Sequence, residues 1–182
     1  RDLGGGVATV SGRYWAMDRD RRGDRVACAY RAIVLGEGLE AGSAVEAVEE
    51  AYRRDEGDEF IQPTLITPDP DQVRHPTLRE GAVGLFFNFR ADRARELTNA
   101  ITRTRPEELG LEIRDLPAAD PGAFSTLTVY DEAFEIPALF SPVDVSGTLG
   151  ELVRNAKHKQ LRIAETEKYA HVTYFFNGGR EE

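Results

Sequence analysis

Val83-Gly84-Leu85-Phe86-Phe87-Asn88 reads as a strand, and the chain turns from it at once into a helix. The run is apolar, bulky and too short for an ordinary helix, the pattern of a strand covered on both faces in a parallel sheet. Ala91–Thr102 then sets Leu97 and Ile101 four residues apart, which predicts one helical face turned inward. Upstream, Gly6–Val10 predicts a strand. The polar turn Asp18-Arg19-Asp20 leads into a helix with Val26, Ala29, Tyr30, Ile33 and Val34 on its apolar side. Ser43 is suited to cap a second helix with Val45, Val48 and Tyr52 on one face, followed by a turn at Gly57-Asp58 and the apolar run Phe60–Ile66. An exposed proline-rich loop is expected from Pro68 to Pro76, and Ser125–Tyr130 predicts a further strand. Strands alternating with helices predict an α/β fold: a layered, largely parallel sheet flanked by helices.

Prolines at 137 and 142 interrupt this pattern, which restarts as a helix at Thr148–Ala156, a strand at Gln160–Ala164 and a helix at Glu167–Phe176. Pro142 therefore marks a hinge between a domain of residues 1–141 and a partial second α/β element, 142–182. The chain opens at Arg1 without methionine and stops at Glu182 soon after Gly178-Gly179, as a piece of a longer protein would.

The 182 residues carry 23 Lys+Arg against 32 Asp+Glu, a net charge of −9, with 41% hydrophobic residues. Such a balance disfavours long-range attraction to nucleic acid or to an anionic membrane, so any anion site has to be local. No apolar stretch reaches the roughly 18 residues of a bilayer span. A single cysteine, Cys28, forms no intrachain disulfide and is compatible with a reduced, cytoplasmic setting. Only Lys157, Lys159 and Lys168 are lysines; every other basic residue is arginine, whose planar fork suits carboxylate and phosphate.

In open parallel sheets ligands collect beyond the carboxyl ends of strands, and there the sequence places Arg13 and Arg19 after the first strand and Arg90 and Arg93 after the Val83 strand. Arg90, Arg93 and Arg95 fall at a helix start, where the dipole disfavours cations, and Asp92 offsets only part of this. A bound anion would resolve the conflict; pairing with surface carboxylates is the competing explanation. His75, His158 and His171 show no metal-ligand spacing. Tyr14, Trp15, Phe86, Phe87, Phe175 and Phe176 are expected in the core rather than stacking on bases.

Three stretches carry a family resemblance: Gly12-Arg13-Tyr14-Trp15-Ala16-Met17-Asp18-Arg19-Asp20, Phe86-Phe87-Asn88-Phe89-Arg90-Ala91-Asp92-Arg93-Ala94-Arg95, and Glu165-Thr166-Glu167-Lys168-Tyr169-Ala170-His171 continuing to Gly178-Gly179. With Asp58-Glu59-Phe60 and Tyr130-Asp131-Glu132, they resemble the cofactor-independent (2,3-bisphosphoglycerate-independent) phosphoglycerate mutases nearly end to end. The resemblance implies interconversion of 2- and 3-phosphoglycerate in glycolysis and gluconeogenesis, through a phosphoserine on a phosphatase domain holding two manganese ions. A transferase domain holds the glycerate meanwhile. It implies substrate-ligand roles for Arg13, Arg19, Arg90, Arg93 and Lys168, no requirement for 2,3-bisphosphoglycerate, and a monomer. On this pattern residues 1–141 are the later part of the transferase domain and 142–182 the returning start of the phosphatase domain. The nucleophilic serine and the Asp/His metal ligands belong to regions outside these 182 residues, so the chain alone is expected to be inactive. Gly23 stands where the family usually has an aromatic residue. The alternative is a non-catalytic phospho-anion binding module, or an inert fragment whose arginines make ordinary surface pairs.

Overall fold

The computed structural model describes residues 4–67, 77–78 and 81–180, in two compact units that divide between Ser141 and Pro142. Arg1-Asp2, the proline-rich loop at 68–76 and His75 lie outside the described residues.

The first unit carries two three-stranded sheets. In one, β1 (Thr9–Val10), β2 (Leu39–Ala41) and β3 (Thr64–Ile66) lie in the order β1-β3-β2, with β1 antiparallel and β2 parallel to β3. In the other, β4 (Val83–Phe86), β5 (Ala123–Thr128) and β6 (Ala138–Phe140) are all parallel, with Leu85 opposite Ser125 and Thr128 opposite Phe140. The α/β class expected from the sequence is what is observed, although the strands fall into two small sheets rather than one.

The helices are α1 (Arg13–Ala16), α2 (Gly23–Tyr30), α3 (Ala44–Arg53), α4 (Ala91–Thr102) and α5 (Leu111–Arg114). α2 packs against α1, α4 and α5, and their junction is the main core: Val26, Tyr30, Val34, Leu97, Ile101 and Ile113 among others, with Phe86 and Phe124 of the parallel sheet against it. Tyr30 is buried in this core and satisfies its hydroxyl on the Pro117 carbonyl at 2.6 Å. α2 winds on into a wider turn, Arg31–Leu35, that ends at Gly36 in the left-handed conformation. Ser43 caps α3 as expected, its hydroxyl accepting from Glu46 N at 3.1 Å.

Three expectations change. β4 is an edge strand with one uncovered face: Val83 is 84% exposed, and Phe87 just beyond it 79%. Only the alternate residues Gly84 and Phe86 turn towards the core, because successive side chains of a strand point to opposite faces. On α3 the buried positions are Ala47 and Ala51, whereas Val45 and Tyr52 face solvent; the small residues allow close approach to β1 and β2. Phe175 and Phe176, expected in the core, are about half exposed.

One close approach sets the entry to α1. The Gly12 N–H donates to the Ile61 carbonyl at 2.8 Å, and a Cβ on Gly12 would stand 2.7 Å from both Glu59 C and Ile61 N. These are backbone atoms of the 59–61 segment to which Gly12 and Tyr14 are bonded, so Gly12→Ala is expected to destabilise the first unit by about 2 kcal/mol. Denaturant unfolding measures it; unchanged stability would mean that the 59–61 segment moves aside freely.

The second unit holds α6 (Leu149–Asn155) and α7 (Tyr169–Val172), the latter between single turns of tighter helix at Thr166–Lys168 and Phe175–Asn177. The strand expected at Gln160–Ala164 has no ladder partner among the described residues, and the helix expected at Glu167–Phe176 is broken into these three short turns. α6 begins with a capping box, Thr148 and Glu151 each bonding the other's backbone. The unit's centre is polar: Arg162 Nη1 donates to Asn177 Oδ1 at 2.6 Å and to the Val172 carbonyl at 3.1 Å, and its guanidinium lies over the Phe176 ring.

Candidate anion-binding site

The arginines of the first unit are delivered by two loops that follow strands. β1 leads through Gly12 into α1, whose first residue is Arg13, and the chain then turns through 17–22, carrying Arg19. β4 leads through 87–89 into α4, which has Arg90 as its N-cap and Arg93 in its first turn. Both loops are fixed by buried polar groups rather than by apolar packing.

In the first loop the anchor is Asp18, 3% exposed. Its carboxylate accepts the backbone N–H of Asp20 (2.9 Å) and of Arg22 (3.0 Å) and the Arg22 guanidinium (3.0 Å), with Arg25 Nη1 at 3.7 Å. Burial opposes the charge, but these donors outweigh it and hold the carboxyl below its usual range. Glu96, from the second turn of α4, accepts the Arg21 N–H at 2.9 Å. Burial pushes its carboxyl up, and the neighbouring carboxylates of Asp18 and Asp20 add to that against the Arg21 N–H. In the second loop Asn88 Oδ1 accepts the Arg90 N–H at 2.9 Å, an Asx turn that starts α4.

Asp92 joins the two loops. Arg90 grips its carboxylate with two nitrogens, Nε at 2.8 Å and Nη2 at 3.2 Å, while Arg19 Nη1 reaches it at 3.1 Å. Burial alone would raise the Asp92 carboxyl; the two guanidiniums reverse the direction and lower it. Arg93 has no carboxylate partner of its own among the described residues and donates Nη1 to the Met17 carbonyl at 3.0 Å. Burial lowers its affinity for the proton, and the guanidiniums of Arg19, Arg90 and Arg13 lower it further, against the opposing pull of Asp92. Arg13 pairs with Glu59 at 2.7 Å. Four guanidiniums thus converge on one end of the unit, at the start of α4, against the carboxylates of Asp92 and Glu59. In a chain of net charge −9, this is the local positive excess that an anion site requires.

Of the residues singled out from sequence, Arg13, Arg19, Arg90 and Arg93 come together. Arg95 turns away, its Nε donating to the Tyr130 carbonyl at 3.1 Å and pairing with Asp131. Lys168 belongs to the second unit, where it is exposed and lies 3.8 Å from Glu165. Among the described residues no group of three His, Cys, Asp or Glu side chains is placed to hold a metal ion. No helix among them is long and apolar enough to cross a membrane. Sequence reading overlooked Asp18, Glu96 and Asn88 as organisers. Asp18 was legible inside Asp18-Arg19-Asp20, whereas Glu96 has no local signal, since its partner is a backbone group 75 residues away.

The arrangement can be set beside known proteins. Residues 1–132 match a family model described as the N-terminus of BPG-independent PGAM. The chain is 52% identical over 178 residues to a 2,3-bisphosphoglycerate-independent phosphoglycerate mutase of Desulforudis audaxviator, covering 98% of this chain and 34% of that protein. To one of Moorella thermoacetica it is 50% identical over 184 residues, with the same coverage. A crystal structure of Leishmania mexicana phosphoglycerate mutase at low cobalt concentration superimposes with a TM-score of 0.73 at 29% identity, over 96% of this chain and 32% of that one. The chain thus spans about a third of the length of the relatives it matches.

Proposed function

The chain belongs to the 2,3-bisphosphoglycerate-independent phosphoglycerate mutase family, and from that premise we propose that its arginine cluster holds phosphoglycerate in a longer parent enzyme. The observation that carries this reading is Arg93: a partly buried guanidinium crowded by three others, with no carboxylate partner of its own among the described residues. Crowded cations of this kind are stabilised when an anion arrives. A phosphoglycerate brings two anionic groups, and the forks of Arg13, Arg19, Arg90 and Arg93 offer enough donors to hold phosphate and carboxylate at once, fixing orientation as well as charge.

In this reading residues 1–141 are part of the domain that retains the glycerate while its phosphoryl group is exchanged. Residues 142–182 open the phosphatase domain, and Lys168 supplies a compact cation for the transferring phosphoryl group. The phosphoserine nucleophile and the two manganese ions are assigned to parts of the parent outside this chain. The parent is read as a cytoplasmic, monomeric isomerase of glycolysis and gluconeogenesis.

Two measurements test this. In the whole parent protein, Arg90→Ala and Lys168→Ala should each lower mutase activity at least about 100-fold, the scale on which single charged donors to a reacting oxyanion act. Full activity after either change would remove that residue from the site. Calorimetry of the 182-residue chain with 3-phosphoglycerate separates an enzyme part from a self-sufficient binding module, which alone predicts tight saturable binding without the remainder of the parent.

A further inference from the structure

The turn that presents Arg90 and Arg93 lacks the apolar anchors its sequence advertises. Phe87 and Phe89 flank Asn88, and both side chains are mostly in solvent, Phe89 only stacking on the half-exposed Phe140. A turn of this kind has to be held by something else if the guanidiniums beyond it are to keep a fixed geometry.

Tyr130 is that group. It lies two residues past the end of β5, next to β4 in the sheet, and is only 2% exposed. Its ring meets Phe86 edge to face, centroids 5.6 Å apart. Its hydroxyl proton is shared between the carbonyls of Phe86 (2.8 Å) and Asn88 (2.6 Å), while the oxygen accepts the Asn88 N–H at 3.2 Å. One phenol thus ties the backbone on both sides of Phe87. Asn88, held through both its N–H and its C=O, uses its side chain to fix the Arg90 N–H. Arg90 then sets Asp92, and Asp92 sets Arg19 on the other loop. From Tyr130 to Arg19 every link is a hydrogen bond or ion pair of 3.2 Å or less.

We propose that Tyr130 is a positioning residue of the anion site, its hydroxyl clamping the Phe86–Asn88 backbone so that Arg90 and Arg93 are presented in one fixed arrangement. The proposal rests on the reading of the cluster as a phosphoglycerate site. It assigns Tyr130 no contact with the ligand. The tyrosine acts through the turn, so its loss should alter the geometry of the grip and leave the charge of the site unchanged.

Tyr130→Phe keeps the ring and deletes only the clamp. Tyr30→Phe is the matched control: it too deletes a buried hydroxyl bonded to a backbone carbonyl, but in the helical core on Pro117. In the full 182-residue chain, amide hydrogen exchange at Asn88 and Arg90 should accelerate about tenfold in Tyr130→Phe and stay within about twofold in Tyr30→Phe. Calorimetry of the whole parent protein with 3-phosphoglycerate should show about a tenfold loss of affinity in the first variant alone. Equal exchange and equal affinity in the two variants would overturn the clamp. Loss of binding in Arg93→Ala with full binding in Tyr130→Phe would leave the site standing and remove Tyr130 from it. Absence of saturable binding in the unsubstituted whole parent protein would sink the site, and the positioning role with it, whatever the exchange rates.

Discussion

Arg93→Ala is expected to weaken phosphoglycerate binding by about 10- to 100-fold while barely moving the melting temperature. A charge-assisted hydrogen bond contributes about 1.5–3 kcal/mol, and a bidentate fork on phosphate lies at the upper end of that range. Stability behaves otherwise because two terms oppose each other. The substitution removes the bond from Nη1 to the Met17 carbonyl, which costs about 1 kcal/mol. It also relieves the repulsion that Arg19, Arg90 and Arg13 exert on Arg93. Affinity lost with stability kept is the signature of a residue retained for a ligand, and calorimetry beside thermal melting reads both. Arg93→Lys keeps the charge and loses the fork, so it should recover only part of the affinity. Arg105→Ala, at a residue whose guanidinium pairs with Glu107 and Glu108 near the surface, should leave binding within about twofold. Binding by a cationic cluster also weakens with ionic strength, and a salt-independent affinity would be incompatible with this site.

The parts of this fold that could be read from sequence are those in which local pattern and tertiary environment agree. Ala91–Thr102 is helical over the range its spacing predicts, with Leu97 and Ile101 buried, and Ser43 caps α3 through its own hydroxyl. The Val83 run misled because an apolar strand looks the same whether covered on two faces or one; its place at the sheet edge is decided by β5 and β6, forty and more residues downstream. Gln160–Ala164 failed for a related reason. Alternation predicts a strand, but a strand also needs a ladder, and none of the described residues supplies one. The arginines were legible because four forks beyond two strand ends are unusual in an acidic chain. Of their supports only Asp18 was legible, inside Asp18-Arg19-Asp20, since Glu96 and Tyr130 act on backbone groups that no residue pattern marks.

Those supports also determine how the site tolerates change. Asp92 is shared by Arg19 and Arg90, so on the proposed reading a ligand's anionic groups would enter a set of guanidiniums already oriented by a carboxylate. An internal carboxylate keeps the forks apart and pointed before the ligand arrives, which reduces the ordering that binding would otherwise require. On that reading it would also limit affinity, because the same donors are already partly satisfied by Asp92. Arg93 stands outside this sharing, so on the proposed reading it would gain most from an incoming anion.

Asp18→Ala should be the most destabilising single change in the loops that carry the arginines, by about 3 kcal/mol near pH 4. The carboxylate is buried and takes two backbone N–H groups as well as Arg22, and removing it strands those donors in the interior of the turn. The pH dependence separates this from a simple loss of packing. Asp18 is lowered from 3.8, so its contribution is complete above that value and fades as the pH falls through the folded-state value. Glu96 is raised from 4.5, so it takes up a proton on folding; its contribution is complete below 4.5 and is lost as the pH rises through the folded-state value. Protonated, Glu96 can donate to Asp18; ionised, it repels it. The stability difference between the unsubstituted chain and Asp18→Ala should therefore be largest between pH 3.8 and 4.5, smaller at pH 7 and smaller again well below pH 3.8. Glu96→Gln offers the amide as a permanent donor to Asp18 while its oxygen still accepts the Arg21 N–H, so the decline above pH 4.5 should disappear in that variant. Denaturant unfolding across this range measures the unsubstituted chain, Asp18→Ala, Glu96→Gln and the double variant. A difference that does not vary with pH would mean that Asp18 fills space in the loop and does not organise it by charge.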